Sequence, residues 1–344
     1  TFGAAPLAVV AAVFTDIYEH RVRGVAISFF SMTVFAGPLV APSIGGLIIE
    51  SHLGWRWTQW IIVILSFISF FVNLLFLNET YPPIILVSKA VSLRHKSRNW
   101  TIHAKQEEID TNFRLLLTQN FSRPLRLLFT EPIILLISIY MSFVYGLLYL
   151  FLTSYPLVFQ KLHGMSPAVG GLPFFGMVLG IIAGGLYVII SQSSYNRKLS
   201  ANNGIPVPEW RLPPMITGSI AFSIGLFWFS WTGYKSSIHW IVPSLSGVLT
   251  GFGILIIFLQ SLNYLLDTYL IFAASAVASV TTLRSLAGAG FPLFSQVLFN
   301  ALGINWGGTI LGCIATALIP IPIIFYRYGE RIRGKSSFSS KLST

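Results

Sequence analysis

Arg284 is the residue with the most to explain. It lies in the apolar run "FAASAVASVTTLRSLAGAGFPLF" (272–294). Counted from near Phe272 at about 1.5 Å per residue, it sits about 20 Å into a helix. A cation at that depth costs roughly 2.5 kcal/mol or more unless it faces protein or water. It could orient a proton-carrying carboxylate or line a polar cavity; a structural ion pair or snorkelling toward the outer face would also satisfy it. A second apolar run carries Ser138, Ser142, Tyr145, Tyr149 and Thr153 at helical spacing on one face. Hydroxyls so arranged avoid lipid, either as a substrate-cavity wall or as interhelical hydrogen bonds worth about 0.6 kcal/mol each. Tyrosine adds a ring for apolar or cationic ligands. In a third run Gln260, Asn263 and Tyr264 cluster just before Asp267, as a gate or as a helix cap.

Other chemistries lack their residues. "GERIRGKS" (329–336) matches the phosphate-binding pattern Gly-x4-Gly-Lys-Ser, but it follows an apolar helix and only eight residues remain after it. Without a strand before it and a helix after it, no cradle of backbone N–H groups forms, so ATP is not expected as a partner. His20, His52, His95, His103, His163 and His239 are scattered without metal-ligand spacing. Cys313 is the single cysteine, and no Gly-x-Ser-x-Gly nucleophile motif is present. The reading is therefore no catalytic residues, no metal, no cofactor and no enzyme. A polytopic membrane enzyme or a receptor-like protein without transport activity is the alternative to a transporter.

The elements that must position these side chains are membrane helices. The chain has 344 residues, 54% hydrophobic and 10% charged, with a mean hydropathy of +0.74. Soluble domains carry about 25% charged residues. Eight apolar runs of roughly 20 residues or more can cross a bilayer: 26–49, 57–77, 132–157, 169–190, 213–232, 240–262, 269–299 and 305–326. Barrel-type alternation is absent, so the spans read as helices that satisfy their own backbone. A shorter run from Thr1 to about Thr15 reads as the end of another span, giving about nine in an all-α membrane protein. Eighteen of the 22 Lys and Arg fall on one side of these spans, and Arg56, Lys161 and Lys235 on the other. That bias predicts a cytoplasmic side holding the central loop and the C-terminus. Trp55, Trp57, Trp60, Trp228, Trp231, Trp240 and Trp306 flank the sparse side as an interfacial belt would. The net charge of +11 is thus a topology signal and predicts no nucleic-acid partner. Asn78, Asn99 and Asn120 begin Asn-x-Ser/Thr triplets on the basic side; glycosylation at any of them would overturn the orientation. Asp16, Glu79, Glu131 and Asp267 stand at the ends of runs, so a polyamine cargo, which needs carboxylates along its path, is open but unsupported.

Helix breakers sit inside the first of these runs. "GPLVAPSIGG" (37–46) places Gly37, Ala41 and Gly45 four apart as a thin stripe, with Pro38 and Pro42 on a neighbouring face and Gly46 beyond. "GLPFFGMVLGIIAGG" (171–185) repeats the spacing at Gly176, Gly180 and Gly184. Small residues at this spacing admit close helix approach, and prolines free carbonyls and bend a helix. Spans 26–49 and 169–190 are expected to pack against each other across the two halves, the alternative being that each stripe packs within its own half.

At these residues the chain resembles the fungal twelve-span drug:proton antiporters of the major facilitator superfamily, a group that includes polyamine exporters. "GPLVAPSIGG" resembles the antiporter signature of the fifth span, departing at Ala41, where the motif prefers Gly. "RVRGVAIS" (21–28), "LGWRWTQW" (53–60), "NETYPPIIL" (78–86), the run 131–150, "PEWRLPPM" (208–215) and the run 263–294 resemble, in order, the loops after spans four and five, the start of the central loop, span seven, the entry to span nine and the span ten–eleven region. The resemblance implies residues 1–77 as the remnant of a first six-helix half, 78–131 as the central loop, 132–327 as the second half and 328–344 as a basic tail. It implies alternating access, small molecules leaving the cytosol as protons enter, and a monomer in the plasma or vacuolar membrane. It further implies that Asp16, Arg21, Arg23 and Asp267 take part in gating on the cytoplasmic side.

Overall fold

The computed structural model of the chain describes residues 10, 13, 14, 17, 18, 20–108, 122–204, 206–269 and 272–334. Among them the ordered elements are helices, as the apolar runs predict. In chain order these are α1 (His20–Glu50), α2 (Arg56–Phe76), α3 (Pro82–Ser97), α4 (Arg123–Thr130), α5 (Pro132–Tyr155), α6 (Phe174–Ala201), α7 (Leu212–Thr232), α8 (Ile241–Thr268), α9 (Ala273–Leu318) and α10 (Pro320–Gly334). Each of the eight predicted spans falls on a helix. The run expected over Thr1–Thr15 lies almost wholly outside the described residues.

Seven helical stretches are long and apolar enough to cross a membrane, one fewer than the eight predicted spans. The last two runs fall in one stretch, Ala273–Gly334, whose two legs meet at a kink with almost no intervening loop. The 46 residues of α9 would extend about 70 Å at about 1.5 Å per residue, more than twice the hydrocarbon thickness of about 30 Å. Gly303 resolves this, with φ 75° and ψ 168°, a non-helical conformation that breaks α9 into two legs.

The chain packs as two units, residues 1–27 with 59–120, and residues 28–58 with 121–344. In the first, most of α2 is an apolar helix with no buried residue, so its apolar side chains are available to lipid. The same unit contains the turn Lys105–Glu108 beyond α3. Arg94 donates to Glu107 at 2.5 Å, and His103 lies between the Thr101 carbonyl at 2.8 Å and the Glu108 carboxylate at 2.7 Å.

The second unit holds the core. Tyr155 of α5 stacks on Phe174 of α6 and Phe229 of α7, with centroids 4.5 and 5.2 Å away. Thr153 of α5 bonds Ser295 of α9 at 2.6 Å. The part of α1 from Ser28 onward lays Met32, Phe35, Leu39, Ser43 and Gly46 against this unit as its buried face. Helix runs unbroken through Pro38 and Pro42, although neither can donate to the carbonyl one turn back.

Spans 26–49 and 169–190 do meet, through Ser43 against Gly171 and Met32 against Gly185, but not through their two glycine stripes. Beta carbons placed on Gly176, Gly180 and Gly184 would meet Ser244, Val248 and Phe252 of α8, in their own half of the chain. Reciprocally, Gly247 and Gly251 of α8 press on Met177 of α6. Two small-residue stripes therefore interlock, α6 with α8. The Gly37–Ala41–Gly45 stripe is on the open face of α1, with nothing within 4 Å of either glycine's beta position. What joins α1 to the second half is the neighbouring face: Gly46 against Pro167 and Ala168, Ser43 against Gly171, Met32 against Gly185. Small-residue spacing makes a helix face thin but does not choose its partner; mutual fit does.

Candidate functional site

Four helices of the second unit converge on Arg284. Its guanidinium lies over the ring of Tyr145 at 4.6 Å and over Phe258 at 5.0 Å. Phe35 of α1 meets Phe258 edge-on at 4.6 Å and Tyr145 at 6.3 Å. A recess beside the cluster is lined by Phe35, Met141, Val144, Tyr145, Ile254, Ile257 and Phe258. Cation–π contacts are worth about 2 kcal/mol or more when desolvated, which offsets part of the cost of placing this charge. The Arg284 Nε is buried without a hydrogen-bond partner, and no carboxylate among the described residues is within ion-pair distance of the guanidinium. Among those residues, therefore, no ion pair accounts for this arginine.

The hydroxyl stripe of α5 divides between its two readings. Tyr145 and Tyr149 are half-exposed on an otherwise mostly buried helix, and their hydroxyls bond each other at 3.2 Å. Gly288 of α9 lies against both rings, where a beta carbon would stand 3.1 Å from the Tyr145 ring and 3.5 Å from that of Tyr149. Thr153 instead ties α5 to α9 through Ser295. Ser138 and Ser142 are buried with hydroxyl oxygens that have no partner. The tyrosines thus face the arginine, while the outermost hydroxyl serves interhelical bonding.

Gln260 and Tyr264 are buried but do not line the recess. Tyr264 stacks on Phe325 of α10 with centroids 5.9 Å apart, and the Gln260 Oε1 has no hydrogen-bond partner. Asn263 is half-buried nearby on α8. Asp267 belongs to a clamp at the basic-rich end. It accepts from Arg211 Nε and from the Tyr195 hydroxyl, each at 3.1 Å. Arg211 also donates to Gln192 at 2.8 Å and lies 3.5 Å above the Tyr195 ring. The clamp ties α6, the start of α7 and α8 together. Sequence reasoning had Asp267 alone; Gln192 and Tyr195, one helical turn apart near the end of α6, were the available signal.

Asp16 lies outside the described residues, as do the side chains of Arg21 and Arg23. Gly329–Gly334 of "GERIRGKS" is helical as the end of α10. There Gly329 packs on Glu209 and Arg333 pairs with the same carboxylate. Lys335 and Ser336, which complete that pattern, lie outside the described residues.

The family model described as Major Facilitator Superfamily matches residues 1–292. An uncharacterized transporter of Schizosaccharomyces pombe is 50% identical over 330 residues, covering 95% of this chain and 61% of the relative. The major facilitator superfamily multidrug transporter FLU1 of Candida albicans is 44% identical over 339 residues, 98% of this chain and 56% of that protein. The multidrug transporter TPO1_2 of Candida glabrata is 44% identical over 341 residues, 99% of this chain and 59% of that protein. The chain thus spans somewhat under two thirds of the length of these relatives.

Proposed function

Because the chain belongs to the major facilitator superfamily, we propose that the intact protein exports small organic molecules in exchange for protons, by alternating access. The observation that carries this reading is the Arg284–Tyr145–Phe258 cluster beside an apolar recess, far from either end of its helices. Charge kept within a membrane-spanning segment is usually functional. Tyr145, Tyr149 and Arg284 line the substrate path, and the Asp267–Arg211 clamp serves the gate at the basic-rich end. That end faces the cytosol, in the plasma membrane or the vacuolar membrane. The energy source is the proton gradient rather than ATP, and the transporter acts as a monomer. Drugs and other toxicants fit the path better than polyamines, since the carboxylates Glu131, Glu209 and Asp267 are already bonded at the helix ends.

The test expresses the intact protein in a fungal strain stripped of its major exporters. Accumulation of a fluorescent drug probe should fall several-fold, and a protonophore should abolish the difference. Unchanged accumulation with normal membrane abundance would overturn the reading, as would export that persists without a proton gradient.

A further inference from the structure

His163 stands between α5 and α6, at the basic-poor end of the second unit. A wider, π-helical turn, Pro156–Leu162, prolongs α5 there; such turns are rare and gather at functional sites. His163 closes the turn. Its backbone N–H donates to the Val158 carbonyl at 3.2 Å, and its ring Nδ1 lies 2.9 Å from the same oxygen. The other ring nitrogen, Nε2, lies 3.0 Å from the carbonyl of Ile238, in the connection between α7 and α8. Both ring nitrogens therefore face oxygens that only accept. A neutral imidazole has one N–H and one lone pair, whereas an imidazolium has two N–H donors. Either neutral tautomer sets a lone pair against a carbonyl oxygen. The protonated ring satisfies both contacts at once.

The titratable groups on the segments packed here are Lys161 on the turn and Tyr234, Lys235 and His239 on the connection. The cations among them oppose a charge on the ring, and the two carbonyls favour it. Lys161, Lys235 and His239 are exposed while His163 is half-buried, so water and salt screen the repulsion more than they weaken the two bonds. Phe159 holds the ring from the side, with centroids 5.9 Å apart. A few residues further on, the same short segment carries α1: Pro167 meets Gly46, and the Ala168 N–H donates to Glu50.

We propose that His163 is a proton-binding site that ties the end of α5 to the α7–α8 connection when protonated and gives up one of its two carbonyls when neutral. The proton comes from water onto the ring lone pair and returns to water. Acid on the basic-poor side then firms the segment on which α1 rests, and alkali loosens it. The site itself stands on the ring geometry. That its proton comes from outside the cell rests on the orientation proposed above.

Two measurements on the intact protein in nanodiscs test this, at about pH 5.5 and about pH 8, on either side of the ordinary imidazole value of about 6.5. In protein labelled with ¹⁵N-histidine, ring shifts report each nitrogen separately, and the His163 signal is the one missing from His163→Gln. Both nitrogens should carry protons at the acid pH and one should lose its proton at the alkaline pH. Hydrogen exchange of residues 233–240 reads the tie itself, since local opening sets the rate. The ratio of wild type to His163→Gln cancels the intrinsic effect of pH. Protection of wild type relative to the variant should be several-fold greater at the acid pH than at the alkaline one. His163→Arg, charged at both, should keep the same protection at both and is the reference should the glutamine variant fail to fold. A ring with a single proton at the acid pH, or equal protection ratios at the two pH values, would overturn the proposal. A pH-dependent tie in a protein that exports nothing would sink the transport reading and keep the site; proton-driven export with no such tie would do the reverse.

Discussion

Gly180 and Gly37 have the same residue type and opposite surroundings. A methyl group on Gly180 would run into the backbone of Val248 and Phe252 on α8, whereas one on Gly37 would meet nothing within 4 Å. Backbone atoms cannot step aside as a side chain can, so Gly180→Ala is expected to lower stability by about 1–3 kcal/mol. Gly37→Ala in this chain should be neutral or slightly stabilising, because alanine favours helix by about 1 kcal/mol. Thermal unfolding of the two variants in detergent checks both. His103 supplies a second prediction at this scale. The Thr101 carbonyl, then the Glu108 carboxylate, hold its imidazolium and push its pKa above 6.5. The contribution to the 101–108 turn is therefore complete below pH 6.5 and fades as pH climbs through the raised value. An NMR titration of the His103 ring should show a midpoint above 6.5, and Glu108→Gln should bring it down. At this scale the sequence was informative where a residue broke a pattern. Arg284 was visible as a charge in an apolar run, but its partners Tyr145 and Phe258 were not. Contact between helices depends on their register, which no single helix encodes.

At the scale of elements, helix existence was legible and helix junctions were not. Hydropathy and length located all eight runs, because a segment of about 20 apolar residues in lipid has helix as its main way to satisfy its backbone. Nothing in "NALGINWGG" (300–308) says whether helix continues there or breaks into two legs; Gly303 breaks it. Its φ of 75° with ψ of 168° is a conformation essentially reserved for glycine, where a beta carbon adds about 1–3 kcal/mol of strain, and a beta carbon would also touch the Asn305 side chain at 3.0 Å. Gly303→Ala should therefore reduce thermal stability by about that amount. Gly290→Ala in the same helix, with open space around it, is the control and should leave the melting temperature within a degree or two. Equal losses at both positions would remove the special role given to the bend. The α6–α8 interlock shows the other limit. Gly247 and Gly251 were as plain in the sequence as Gly176, Gly180 and Gly184, yet two thin faces matched to each other in space give no local sign of it.

For the molecule as a whole, the question is which contacts must break if the protein alternates access. The buried face of α1 meets the second half of the chain along its length. Toward the basic-poor end Glu50 accepts from the Ala168 N–H at 2.9 Å, and Ser43 donates to the Gly171 carbonyl at 2.8 Å. Gly46 sits on Pro167 there with no room for a side chain. Deeper in, Phe35 joins the Arg284 cluster. A cargo bound beside Phe35 can leave through the basic-poor end only if the first set of contacts parts. They are few, and two are single hydrogen bonds, each worth about 0.5–1.5 kcal/mol net, so thermal opening on the millisecond scale is affordable. Glu50→Cys and Ala168→Cys, placed together in a Cys313→Ser background, should be bridged by a short reducible thiol crosslinker in the resting protein. The bridge should stop export, and a reductant should restore it. Cys313 is exposed and distant in sequence from both positions, so its replacement is not expected to alter export by itself. Full crosslinking with undiminished export would mean that this end stays shut throughout the cycle, and the contacts of α1 would then be permanent packing rather than a gate.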